Sequence, residues 1–188
     1  MLKGIPEILS PELLKVLCEM GHSDRLVIAD GNFPVESMGK NAITIRCDGH
    51  GVPEILDAIL KLFPLDTYVE HPVNLMEVMP GDDVETPIWD TYKEIIRKYD
   101  DRGDAVVGNI ERFAFYDEAK TAYCIISTSE KALYANVMLQ KGVVININHR
   151  PSFLLKCSGL YCPGHFFHVM IIICKSPHCS SKPCGGLT

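Results

Sequence analysis

The sequence predicts an α/β domain whose helices pack on a mostly buried sheet, followed by an irregular C-terminal tail. Segments with apolar residues at helical spacing alternate with short, almost wholly apolar runs, the pattern of helices laid on buried strands. Charge and cysteine content both change abruptly near Val143 and Val144, which puts a boundary between residues 1–143 and 144–188.

Taken in order, Ser10 is a good helix N-cap and Pro11 suits the first helical position. Leu13, Leu14, Leu17 and Met20 then make one apolar face, and Gly21 suits the helix end. Residues 25–29 read as a short buried strand that runs out at Asp30, and residues 43–47 as another. Residues 53–63 have helical spacing through Ile55, Leu56, Ile59, Leu60 and Phe63. Residues 75–79 read as a strand, and residues 87–99 as an amphipathic helix with Ile88, Tyr92, Ile95 and Ile96 inward. Residues 113–122 read as a helix, and residues 123–128 and 136–140 as strands.

The 188 residues suit one domain with a real core and a short appendage. With 47% apolar and 22% charged side chains, the composition is that of a soluble globular protein. The net charge of −6 lacks the electrostatic footprint of a nucleic-acid binder and fits poorly with an anionic membrane surface. The start, MLKGIPEILSPELL, has no long apolar stretch behind a basic end, so no signal peptide is expected. The apolar runs fall well short of the ~20 residues of a membrane-spanning helix. Cytoplasmic residence is the expectation, and Cys18, Cys47 and Cys124 are expected to be buried free thiols.

Chemistry has a few candidate places. His22 follows the expected helix end, where a cation is favoured. Asp30 stands where a buried strand runs out, a common ligand position in α/β sheets. A turn histidine and a turn aspartate with structural bonds alone give the same spacing, and such pairs are the commoner case. Asp66 reads as a turn or capping aspartate, and Met76 as core or pocket wall. Phe113, Phe115 and Tyr116 cluster around Arg112, as core packing with a snorkelling arginine or as a sugar pocket. Tyr134 and Asn136 follow a turn, and Asn136 both donates and accepts, which suits a hydroxyl group. Residues 1–143 carry no phosphate-cradling glycine loop, no zinc pair at helical spacing and no serine-nucleophile elbow, so neither cofactor nor metal is expected.

Four segments together carry a resemblance. LSPELLKVLCEMGHSDRLVIADGNFP, DGHGVPEILDAILKLFPLDTYVE, ERFAFYDEAKTAY and the Tyr134-Ala135-Asn136 step followed by LQKGV resemble, in the same order, the segments of L-fucose mutarotases, which are related to D-ribose pyranases. The resemblance covers nearly all of residues 1–143, and PLDTYVE and TPIW look closer to the animal-type enzymes. It implies a three-layer α/β fold with a mixed sheet, homo-oligomers from dimers to decamers, and a free monosaccharide, L-fucose, as substrate. It implies that His22 is the proton donor and Asp66 a second catalytic residue. It also implies that Asp30, Met76, Arg112, Tyr116, Tyr134 and Asn136 contact the sugar. Mutarotation opens the ring and recloses it on the other face, so an acid–base pair suffices and no cofactor is required.

Two features depart from that family. Its usual Tyr-Gly-Asn is Tyr134-Ala135-Asn136 here, and alanine at a left-handed position would cost about 1 kcal/mol. The tail is foreign to it. Residues 144–188 carry Arg150, Lys156, Lys175 and Lys182 and no acid, while residues 1–143 carry 14 basic and 24 acidic side chains. Cys157, Cys162, His165, His168, Cys174, His178, Cys179 and Cys184 lie at irregular intervals without a CxxC, a poor zinc pattern. The tail is expected to be disordered or loosely attached. A non-catalytic sugar-binding or assembly protein, inactivated by its altered C-terminus, is the alternative function. Truncation after Val144 is expected to leave a folded chain, with bound zinc, solubility and sugar-anomer exchange by NMR compared between the two forms. Stoichiometric zinc in the full-length protein, or loss of folding on truncation, would overturn the tail's secondary role.

Overall fold

The computed structural model describes residues 2–144; the expectations for the tail beyond Val144 lie outside the described residues. The Ser10 hydroxyl accepts from the Leu13 amide at 3.1 Å and starts α1 (Pro11–Glu19), with Pro11 in the first turn. The helix ends at Met20 rather than Gly21. Then come β1 (Arg25–Ala29), a single turn α2 (Val35–Met38), β2 (Ile43–Cys47), α3 (Val52–Leu60), β3 (Val73–Met76), α4 (Ile88–Tyr99), β4 (Val107–Ile110), α5 (Arg112–Ala119), β5 (Cys124–Thr128) and β6 (Val137–Gln140).

The six strands form one sheet in the order β2-β5-β1-β6-β3-β4. β2, β5 and β1 are mutually parallel, and so are β3 and β4. β6 lies antiparallel between β1 and β3. Every other strand therefore runs the same way, and their carboxyl ends share one sheet edge with the start of β6.

The two-residue period of the strands sorts their side chains onto two faces. Leu26, Ile28, Ile45, Leu75, Ile126 and Leu139 meet α1, α3 and α4 in one core. Val27, Ala29, Met76, Ile125 and Met138 meet α2 and α5 in the other. The result is a three-layer sandwich with a mixed sheet.

Several expectations shift. The strand expected at residues 75–79 is β3, which starts earlier and stops at Met76, before the turn at Gly81 with its φ of +96°. β4 gave no sequence signal: it is a four-residue edge strand containing Gly108, where a Cβ would lie 2.8 Å from His71. α5 begins at Arg112 and ends at Ala119. Phe113 points to solvent on it while Phe115 is fully buried, so the aromatic cluster around Arg112 lacks Phe113. Cys18 is exposed, against expectation, because it sits on the outer face of α1. Cys47 and Cys124 are buried, and burial pushes the Cys124 thiol up to about 12.

After β6 the chain returns past the segment preceding β3. The Gly142 amide donates to the Pro64 carbonyl at 2.8 Å, and a Cβ there would overlap the Leu65 carbonyl and lie 2.8 Å from the Asp66 Cα. These are backbone atoms that cannot rotate away. Gly142→Ala is therefore expected to destabilise the protein by roughly 1–3 kcal/mol, read as a lowered Tm in thermal denaturation. An unchanged Tm would contradict the close approach.

Candidate active site

The expected site residues fall into two groups at opposite edges of the sheet. One group lines a cavity of about 250 Å³ at the carboxyl ends of the parallel strands, the edge where α/β sheets bind ligands. Each residue is placed by the end of an element. Asp30 follows β1, Met76 closes β3, Arg112 and Tyr116 lie on the first turns of α5, and Tyr134 and Asn136 precede β6.

Asp30 and Asn136 hold each other across the β1–β6 gap. Asn136 Nδ2 donates to Asp30 Oδ2 at 2.8 Å, and the Asp30 amide donates to Asn136 Oδ1 at 2.9 Å. Asp30 Oδ1 accepts from the Asn32 amide at 2.9 Å. The Asp30 carboxylate lines the cavity, where a ligand hydroxyl can reach it. Burial raises the Asp30 pKa and outweighs the hydrogen bonds from Asn32, Asn136, Phe33 and Ala135 that lower it. Phe33 packs on Tyr116 with ring centroids 5.4 Å apart, and the Arg112 guanidinium lies 5.8 Å from the Tyr116 ring centre. The cavity thus joins aromatic surface to a cation, a carboxylate and an amide, a set able to grip a small polyhydroxylated ring.

Sequence reasoning missed Phe33 and Asp82, which also line the cavity. The Tyr134 hydroxyl donates to the Asp82 carboxylate. Asp82 lies in the acidic stretch GDDVET, and such a stretch looks like any solvated loop until the tyrosine is seen beside it. The left-handed residue is Tyr134, with φ +54°, and not Ala135. The expected strain at Ala135 is therefore absent, and its full burial explains the small side chain.

The second group lies at the other edge. His22 Nε2 pairs with Asp66 Oδ2 at 3.1 Å. Gln140 Nε2 donates to the same oxygen at 3.0 Å, and the Tyr68 amide donates to Oδ1 at 2.9 Å. Burial acts to raise the Asp66 pKa, but the bonds from Tyr68, Gln140 and His22 outweigh it and leave the carboxyl below its ordinary value. The imidazole is 43% exposed and the carboxylate 1%, so Asp66 orients the histidine from beneath. The α1 carbonyls expected to favour a charged His22 are taken instead by Lys141, whose ammonium donates to Leu17 and Met20 at 2.7 and 2.6 Å. His22 does not line the cavity. It precedes β1 while Asp30 follows it, and at about 3.3 Å per residue the two lie on the order of 20 Å apart.

Residues 3–144 match the RbsD / FucU transport protein family. The FucU chain of Bifidobacterium longum is 66% identical, with a TM-score of 0.75, over 76% of this chain and 100% of its own. The fucose mutarotase of Streptococcus pneumoniae, in a crystal structure in complex with L-fucose, is 46% identical with a TM-score of 0.70 over 77% of this chain and 100% of its own. Human fucose mutarotase is 48% identical over 76% of this chain and 94% of its own.

The two buried carboxylates are expected to titrate on opposite sides of the ordinary value of 3.8. Asp66 contributes stability above pH 3.8 that is lost as the pH falls through its lowered pKa. Asp30 does the reverse, costing stability as the pH rises from 3.8 through its raised pKa. Carboxyl carbon shifts followed by NMR between pH 2 and 7, roughly the span in which carboxylates titrate, would read both midpoints. The reverse order would refute the electrostatic description.

Proposed function

The chain belongs to the RbsD / FucU family, and on that premise we propose that it is a fucose mutarotase, an isomerase interconverting the α and β anomers of L-fucose. The cavity lined by the Asp30–Asn136 pair, Arg112, Tyr116 and Tyr134 carries the reading. It offers donors and acceptors to ring hydroxyls and aromatic surface to the C–H face. In that reading residues 1–143 are the mutarotase domain and residues 144–188 an appendage to it. Among the described residues, no helix is long and apolar enough to cross a membrane. The buried free thiols suit a reducing cytosol.

The reaction moves two protons. A base takes the proton of the anomeric hydroxyl as an acid protonates the ring oxygen. The bond between C1 and the ring oxygen breaks, and C1 becomes an aldehyde. Rotation about C1–C2 presents its other face, and the hydroxyl returns to C1 with the protons moving back. Asp30, Arg112, Tyr116, Tyr134 and Asn136 hold hydroxyls, and Met76 packs against the sugar. His22 supplies the acid. With Nε2 tied to Asp66, its Nδ1 is the atom that meets the sugar. Asp66 orients the imidazole through Oδ2, and its carboxylate, whose Oδ1 accepts only from the Tyr68 amide, is the base for the anomeric proton.

A separation on the order of 20 Å, from about 3.3 Å per strand residue, prevents one chain from bringing its own His22 over its own cavity. The working site therefore takes His22 and Asp66 from one copy and the cavity from another, so the protein acts as a homo-oligomer. Exposed apolar side chains stand beside both halves: Tyr68 against the His22 ring, and Leu133 and Phe113 near the cavity.

Exchange NMR on L-fucose tests this. The parent is expected to speed α/β exchange, whereas line broadening without exchange would favour the binding-protein alternative. His22→Asn is expected to lower the rate by about 10²–10⁴, and Asp30→Asn to weaken sugar binding and lower the rate, both while remaining folded. Coexpressing the two variants is expected to restore part of the activity, since a mixed pair rebuilds one intact site. Near-normal exchange in His22→Asn would sink the acid assignment, and absence of complementation would sink the shared site.

A further inference from the structure

Tyr134 sits in a conformation that side chains resist, and the reason lies on the far side of the sheet edge. Its φ of +54° is one of two positive values at non-glycine residues among the described residues. Such a residue persists only where its surroundings over-determine it. Here the two carbonyls that follow the bend are both taken by α4. Trp89 Nε1 donates to the Tyr134 carbonyl at 2.9 Å, and the Tyr92 hydroxyl donates to the Ala135 carbonyl at 2.8 Å. Neither carbonyl belongs to the sheet ladder, which β6 enters at Val137.

Tyr92 is fully buried in the core, and its hydroxyl finds its partner at the very edge of that core. Trp89 lies three residues earlier, one helical turn away on the same face. The conformation they hold aims the Tyr134 phenol outward over the cavity. There its oxygen accepts from the Met79 amide at 3.4 Å and its proton goes to Asp82. Met79 Sδ in turn accepts from the Arg112 guanidinium at 3.3 Å. One chain of contacts thus runs from the α4 core through Tyr134 to the segment after β3 that walls the cavity.

We propose that Trp89 and Tyr92 are positioning residues of the sugar pocket, holding Tyr134 left-handed so that its phenol fastens the Met79–Asp82 segment as the pocket wall. Neither touches the sugar. The proposal rests on reading the cavity as the sugar site, but the fastening of Met79 can be measured without any ligand.

Hydrogen–deuterium exchange of the full-length protein, read at the peptide carrying the Met79 amide, tests the fastening. Tyr92→Phe and Trp89→Phe remove the two donors and keep aromatic rings. Each is expected to speed Met79 exchange by about tenfold, the scale of one lost hydrogen bond, with β1 and β5 unchanged. L-fucose affinity by NMR titration is expected to weaken in parallel. In a Tyr134→Phe background, where the fastening is already lost, Tyr92→Phe is expected to change Met79 exchange no further. Unchanged Met79 exchange in both variants overturns the proposal, as does a fully additive effect in that background or equal acceleration throughout β1 and β5. A parent chain that fails to bind L-fucose would overturn the functional reading while Met79 exchange still decided the positional one.

Discussion

Strand β6 runs against its neighbours, and the two polar clusters of the protein hang on its ends. At its start Asn136 clasps Asp30, and at its finish Gln140 donates to Asp66. Because β6 pairs with β1 on one side and β3 on the other, its register sets which residues can meet at each edge. Val137 opposite Ile28 and Leu75 places Asn136 beside Asp30 and Met76. Slipping that register by one residue would turn Val137 and Leu139 from one core to the other and separate both pairs.

The two clusters treat a buried carboxylate in opposite ways. Asp66 accepts three hydrogen bonds, which hold it charged and fix the imidazole above it. Asp30 is also bonded, yet burial dominates and raises its pKa. A group that is costly to bury and faces a cavity is suited to receive a ligand's hydroxyls. The left-handed Tyr134 lies in the same cavity. Left-handed backbone occurs at both edges, at Tyr134 and at Ser23 beside His22, but burial outweighs the hydrogen bonds only at Asp30.

This division suits a reaction that needs only proton transfers. The pocket half offers fixed dipoles and aromatic surface, and the histidine half offers an exposed imidazole. Separating the halves along the sheet is what the proposed shared site answers: in that proposal oligomerisation and catalysis are one requirement. The small residue at position 135 fits the same economy of space: its side chain is sealed in while its carbonyl is held by Tyr92.

Local chemistry made most elements legible from sequence. Ser10 and Pro11 announce α1, the apolar runs announce β1, β2 and β5, and the spacing of Tyr92, Ile95 and Ile96 announces α4. β4 and α2 stayed hidden because four residues with no alternation carry no period to read. The carboxyl-edge residues were recognisable one by one, through strand ends and through resemblance. Their convergence was not, since Asp30 and Asn136 stand 106 positions apart and meet only when β6 is inserted beside β1. Tertiary structure alone decided that His22 faces away from the cavity, that Asp66 lies beneath it, and that the bend belongs to Tyr134 rather than Ala135. Sequence determined what each segment prefers by itself, through caps, periods and burial. Only the sheet's strand order and the single reversed strand decided which of those segments share an edge, because that choice is made by pairing between distant parts of the chain.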